Sequence, residues 1–118
     1  MITLGPDTRV YLALGATDLR KSIDTLAALV VEVLHQDPCS AQVFAFRNRR
    51  RDKLKRLVWQ RNGFWLCYRR LERERFRWPT GAPGEAAVTL STQQLRWLLE
   101  GLQWRRLEGH RERHFSLV

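Results

Sequence analysis

Arg47, Arg49, Arg50, Arg51, Lys53, Lys55 and Arg56 fall within ten positions, and Arg61, Arg69 and Arg70 follow close behind. Guanidinium and ammonium groups at this density supply fixed positive charge and forked hydrogen-bond donors, the chemistry that holds phosphate or carboxylate oxygens. From Arg47 to Arg77 the chain carries 13 Lys/Arg against three acids, Asp52, Glu72 and Glu74, a net of +10. The remainder has eight basic and nine acidic residues, so the +9 of the whole chain is a property of this one segment. Trp59, Trp65, Tyr68, Phe76 and Trp78 are interleaved with the charges. Such rings either stack on nucleobases or fill the core of a sheet, and their alternation favours the core for most of them. Two further cations, Arg20 and Lys21, open an apolar helical pattern, where positive charge opposes the helix dipole. Either an i,i+4 pair between Arg20 and Asp24 explains them, or they form a second cationic contact at a rigid helix end.

Groups suited to catalysis are sparse. His110 and His114 are four apart in HRERH, but the segment is not HExxH, lies in a polar tail and has no third ligand nearby. His35 falls at a helix end, where it complements the dipole. The acids Asp7, Asp18, Asp24, Asp37, Asp52, Glu72, Glu74 and Glu85 are spread without the spacing of a two-metal centre. No GxxxxGK[ST], GxGxxG or GxSxG occurs. The expectation is therefore a protein that is not an enzyme, with no metal and no cofactor. Cys39 and Cys67 form no CxxC pair and read as reduced thiols.

A length of 118 residues with 44% apolar content and five Trp describes one folded domain rather than a disordered chain. The charge calls for a polyanionic partner. Nucleic acid suits it better than a membrane, because the basic cluster sits in strand-like sequence and no apolar run approaches the ~20 residues of a span. The first residues lack a charged and apolar leader, so a cytoplasmic, nucleoid-associated location is expected. No helix-turn-helix, zinc-finger or RNA-recognition signature is present, which leaves base-specific readout without a motif.

The elements that must position these charges can be read in order. Residues 9–14 form a short strand that Gly15 breaks. Thr17 or Asp18 caps a long helix running from Leu19 to Gln36, with Leu19, Ile23, Leu26, Val30, Val33 and Leu34 on one stripe, until Asp37-Pro38 ends it. Consecutive antiparallel strands follow at Val43–Arg47, Leu54–Gln60 and Phe64–Arg70, with a short fourth at Phe76–Trp78. A polar turn, 48–53, joins the first two, and Arg61-Asn62-Gly63 carries the Asn-Gly hairpin signal between the next two. On the third of these strands Phe64, Leu66 and Tyr68 share one face, and Trp65, Cys67 and Arg69 the other. The first helix is expected on one face of the sheet, leaving aromatics and guanidinium groups on the opposite face. Ala87–Leu90 is a further strand, Ser91 and Gln94 make a capping box, and Leu95, Leu98, Leu99 and Leu102 form a helical stripe ending near Gly101–Gln103. The expected domain is 1–104, with 105–118 a charged, loosely ordered tail.

These segments resemble a known family. Thr17–Ala27 is similar to its TDMRKGFDGLA segment, and Val43–Arg50 to its LFVFRNRR strand and turn. Lys55–Trp59 with Gly63-Phe64, then Arg69–Glu72 with Phe76 and Trp78-Pro79, follow its K-x-L-x-W…G-F…KRLE-x-G-x-F-x-W-P pattern. Leu95–Trp104 resembles its closing LxxLLEGIxW. The chain is identified by these motifs as similar to the TnpB-type accessory proteins encoded by the second open reading frame of IS-sixty-six insertion sequences. Ser22 and Thr25 stand where that family usually has Gly, Ile23 where it has Phe and Arg69 where it has Lys. Glu74 falls at a family Gly, a departure that bears on the turn before Phe76. The resemblance implies a part in transposition beside a separate, larger transposase that carries the catalytic acids. It implies no catalytic residues for this chain.

Together these readings predict an α+β domain: a mostly antiparallel twisted sheet with one long N-terminal helix packed on it and a C-terminal helix at one edge. The expected function is that of a non-catalytic accessory that binds element-end DNA, or the transposase–DNA complex, through Arg47, Arg49, Arg50, Arg51, Lys53, Lys55, Arg56, Arg61, Arg69 and Arg70. Arg20 and Lys21 join them if that helix end lies beside the sheet. A protein-interaction module that bridges or regulates the transposase, with arginines meeting its acidic surface, is the alternative, and an RNA-binding regulator is a third.

Overall fold

A computed structural model describes residues 4–101 of the chain. The element order is β1 (Val10–Ala16), α1 (Ile23–Glu32), β2 (Val43–Arg47), β3 (Lys53–Gln60), β4 (Gly63–Arg70), β5 (Ala87–Leu90) and α2 (Thr92–Leu99). The five strands form one sheet in the order β4-β3-β2-β1-β5. β1 and β2 pair in parallel, joined by the crossover through α1 that parallel neighbours need, whereas β2-β3-β4 is an antiparallel meander and β5 returns antiparallel to β1.

The β3–β4 hairpin turns on Arg61 (φ 48°) and Asn62 (φ 70°), both in the left-handed region, the two-residue geometry whose twist matches the strands it joins. Gly63 is already the first residue of β4 and pairs with Gln60. The alternation of β3 and β4 then places Lys53, Lys55, Leu57 and Trp59 with Phe64, Leu66, Tyr68 and Arg70 on one face. Leu54, Arg56 and Val58 lie with Trp65, Cys67 and Arg69 on the other.

Each face has its own core. On the first, Leu26, Val30 and Leu34 from α1 and the residues after it pack on Ala13, Phe44, Phe46 and Leu57. On the second, Leu95, Trp97 and Leu98 of α2, with Phe76 and Trp78 of the long connection, cover Val10, Leu12, Val43, Ala45, Leu54 and Val58. Ser91 caps α2 as expected: its side chain accepts from Gln94 N–H at 3.1 Å, and the Gln94 side chain accepts from Ser91 N–H at 2.8 Å.

The expected architecture needs correction. The sheet is mixed, with one parallel pairing among three antiparallel ones, and there is no long N-terminal helix: α1 has 10 residues and α2 has eight. The long helix fails at both ends for local reasons. Asp18 does not cap it. Its carboxylate accepts from Arg20 N–H at 3.0 Å and Lys21 N–H donates to its carbonyl at 3.2 Å, a turn that competes with the helix. The helix starts only after Ser22, whose side chain makes no cap bond. At the other end His35 takes φ 55° and Gln36 N–H closes on Val30 O at 3.0 Å, so the helix stops ahead of Pro38. Gly15 lies within β1 rather than breaking it. Phe76–Trp78 is not a strand: Phe76 N–H donates to Arg51 O at 2.7 Å and the Trp78 indole to Ala13 O at 2.9 Å, laying the segment across the sheet. α2 ends at Leu99, with Gly101 at φ 74° just beyond. The expected loosely ordered tail, 105–118, lies outside the described residues.

Candidate nucleic-acid interface

The β2–β3 turn is built around Asn48. Its Oδ1 accepts from Asp52 N–H and Lys53 N–H, both at 3.1 Å, and its Nδ2 donates to Asp52 Oδ1 at 2.6 Å. Asn48 N–H donates to Lys53 O, and Asn48 O accepts from Arg51 N–H, each at 3.2 Å. With its own donors and acceptors consumed inside the turn, the loop holds Arg49 and Arg50 outward and exposed. The Asn48 amide, followed by lesser effects that include the Arg50 and Lys53 charges, keeps the Asp52 carboxyl below its ordinary value.

Beside this turn runs a groove lined by Arg20, Arg49, Arg50, Lys53 and Lys55, with Leu66 and Tyr68 also in its lining. Its far wall is the lead-in to α1. Thr17 N–H donates to Arg47 O at 2.8 Å, which anchors that segment to the end of β2. Asp18 then grips Arg20: Nη2 lies 2.8 Å from Oδ2, and Nε 3.0 Å from Oδ1 and 3.2 Å from Oδ2. These bonds hold the Asp18 carboxyl well below the usual carboxylate range and raise Arg20 above its ordinary value. Arg20 therefore pairs with Asp18, not with Asp24. The condition set for it by the sequence is met, because the helix lead-in lies beside the sheet: Lys55 Nζ donates to Lys21 O at 3.2 Å.

The remaining predicted contacts are dispersed. Arg47 is half-buried and donates from Nη2 to Leu14 O at 2.7 Å, tying β2 to β1, and burial followed by the nearby Arg51 charge lowers its pKa. Arg51 is exposed at φ 60°, and its carbonyl takes the Phe76 N–H. Arg56 and Arg69 are on the α2 face of the sheet. Arg56 sits beside Leu95 and Leu99, and Arg69 Nε donates to Leu99 O at the end of α2. Arg61 is in the opposite hairpin turn, roughly 25 Å away along the eight-residue β3. Arg70 neighbours the groove through its pairing with Lys53 but is engaged by Glu72 at 2.8 Å, which raises its pKa. Lys21 lines an adjoining cleft with Leu29 and Phe46.

The charged surface is thus not on the face opposite the first helix, as the alternation suggested. It is on the α1 face, where β3 and β4 run on beyond a helix shorter than expected. Of the interleaved aromatics, Phe76 and Trp78 are core, Trp59 is half-buried edge-on to Phe64 at 5.0 Å, and Trp65 and Tyr68 are exposed. Leu66 and Tyr68 in the groove lining were not separable from core residues by periodicity.

Among the described residues no group of three or more His, Cys, Asp or Glu stands together, and no helix is long and apolar enough to cross a membrane. Cys39 and Cys67 are both free. His110 and His114 lie outside the described residues.

Comparison with known proteins follows the sequence motifs. A family model described as "IS66 Orf2 like protein" matches residues 8–109. The uncharacterized protein y4hO of Sinorhizobium fredii is 39% identical over 105 residues, covering 89% of this chain and 90% of that protein. A second uncharacterized protein of the same organism, y4jC, is 32% identical over 107 residues with the same coverage of each chain. No solved structure matches.

Proposed function

The chain belongs to the IS66 Orf2-like family, whose members imply an accessory role in transposition, and from that premise we propose that it serves by binding DNA through the Arg20–Lys55 groove without itself catalysing a reaction. The observation that carries this reading is convergence. Five cations from three separate segments (the α1 lead-in, the β2–β3 turn and β3) line one groove, and the acid there, Asp18, is already engaged by Arg20. Like charges are brought together at a cost that a polyanion removes, and guanidinium and ammonium donors suit phosphate oxygens. The DNA is that of the element, and the transposase is the second partner, in the cytoplasm where both are made.

The test is fluorescence anisotropy with labelled element-end DNA across a salt series, with and without transposase. If all five groove cations meet phosphates, log affinity falls with log salt at a slope of roughly −4 to −5 on duplex. Arg49→Ala with Arg50→Ala shallows that slope by about 2 and weakens binding to all sequences alike. An absence of DNA binding at low salt, combined with groove-dependent co-purification with the transposase, overturns the reading in favour of a protein-interaction module.

A further inference from the structure

Two rings of β4 are exposed, Trp65 and Tyr68, while Phe44 and Phe46 of β2 are at most 1% exposed. Of the two, Tyr68, 53% exposed, is the one that stands in the cationic groove beside Leu66. The register puts it directly across from Lys55, whose Nζ lies 5.9 Å from the ring centroid, and puts Lys53 across from Arg70 two pairs further on, the next on that face. An apolar, aromatic surface is therefore set among cationic groups rather than apart from them. α1, which buries Phe44 and Leu57 on this face, leaves Tyr68 uncovered.

A duplex has little use for such a floor. Its bases are stacked inside, and a protein surface lying along its backbone meets sugars and phosphates. A single strand presents the π-faces of its bases, and a ring flanked by cations is the arrangement that takes base and backbone together. Resting on the reading that the groove binds DNA, we propose that its ligand is an unpaired DNA strand, with a base stacked on Tyr68 and the flanking phosphates held by Lys53, Lys55, Arg49 and Arg50. Leu66 extends the apolar floor under the base, and Arg20, fixed by Asp18, closes the opposite wall.

Anisotropy with an oligonucleotide of about 12 nucleotides, its duplex and the RNA of the same sequence tests this. The single DNA strand is expected to bind the full chain more tightly than the duplex. Tyr68→Ala should weaken single-strand binding roughly five- to hundredfold, the range for loss of one base–aromatic stack, while Tyr68→Phe stays near the parent and duplex binding hardly moves. Lys53→Gln with Lys55→Gln should weaken both. If Tyr68→Ala leaves single-strand affinity unchanged while the lysine changes still weaken DNA binding, the stacking inference is overturned and the DNA reading stands. If neither DNA form binds and the lysine changes do nothing, the DNA reading itself falls. Tighter, Tyr68-dependent binding of the RNA overturns DNA as the strand.

Discussion

Replacing Asn48 with alanine removes the side chain that organises the β2–β3 turn, and the consequence can be worked from its bonds. Oδ1 accepts from two backbone N–H groups at 3.1 Å each. Each such bond contributes roughly 1 kcal/mol net, so about 2 kcal/mol is lost if water does not restore them. In a domain of this size that lowers the melting midpoint by roughly 8–10 °C, measurable by scanning calorimetry. The third bond, Nδ2 to Asp52 Oδ1 at 2.6 Å, adds a pH signature. Asp52 is held below its ordinary value of 3.8 chiefly by this amide. A depressed carboxyl contributes stability above its unfolded pKa and loses it as pH falls through the folded value. The variant lacks that contribution, so the gap between parent and Asn48→Ala should narrow as pH falls below about 4, while the Asp52 pKa read by NMR rises. A midpoint within about 2 °C of the parent, or a gap that widens toward acid, refutes this account of the turn.

Glu74 occupies φ 63°, a conformation that costs an L-residue roughly 1–2 kcal/mol and glycine little. Its exposed pair with Arg77 at 3.7 Å offsets little of that, so Glu74→Gly should raise the urea midpoint by the equivalent of about 1 kcal/mol. An unchanged or lowered midpoint would show that the strain is relieved elsewhere. Arg69→Gln removes the cation whose Nε meets Leu99 O at the end of α2, and should cost roughly 0.5–1 kcal/mol in thermal unfolding. Because Arg69 is on the face away from the groove, DNA affinity should stay within about twofold at fixed salt. A loss comparable to that of Lys53→Gln would contradict the division of the two faces.

The Glu74 conformation gives a physical reason for one departure noted in the sequence. A glycine is usual there in the family, and the backbone is left-handed at that point. Other local features were equally legible. The strands at Val43–Arg47 and Ala87–Leu90 and the Ser91–Gln94 box follow from alternation and capping chemistry that neighbours alone dictate. The hairpin after Gln60 was readable too, although the left-handed pair is Arg61-Asn62 rather than Asn62-Gly63. The limits of α1 were not. Its apolar stripe continues past both ends, whereas the Asp18–Arg20 turn and the His35 reversal are set by short-range bonds that apolar periodicity does not register.

By itself the sequence determined the concentration of charge, most of the element types, and the family, because composition, periodicity and motif spacing are properties of the chain taken in order. Only the tertiary structure decided the parallel pairing of β1 with β2, since pairing direction depends on where a crossover lands. Only it sorted twelve candidate cations into five that line one groove and seven that do not. The stretch from Arg47 to Arg56 is continuous in sequence, but strand alternation sends Lys55 and Arg56 to opposite faces and burial takes Arg47 to the β1–β2 junction. Arg20, far away in the chain, joins the groove because the β1–α1–β2 crossover brings its segment back against the end of β2.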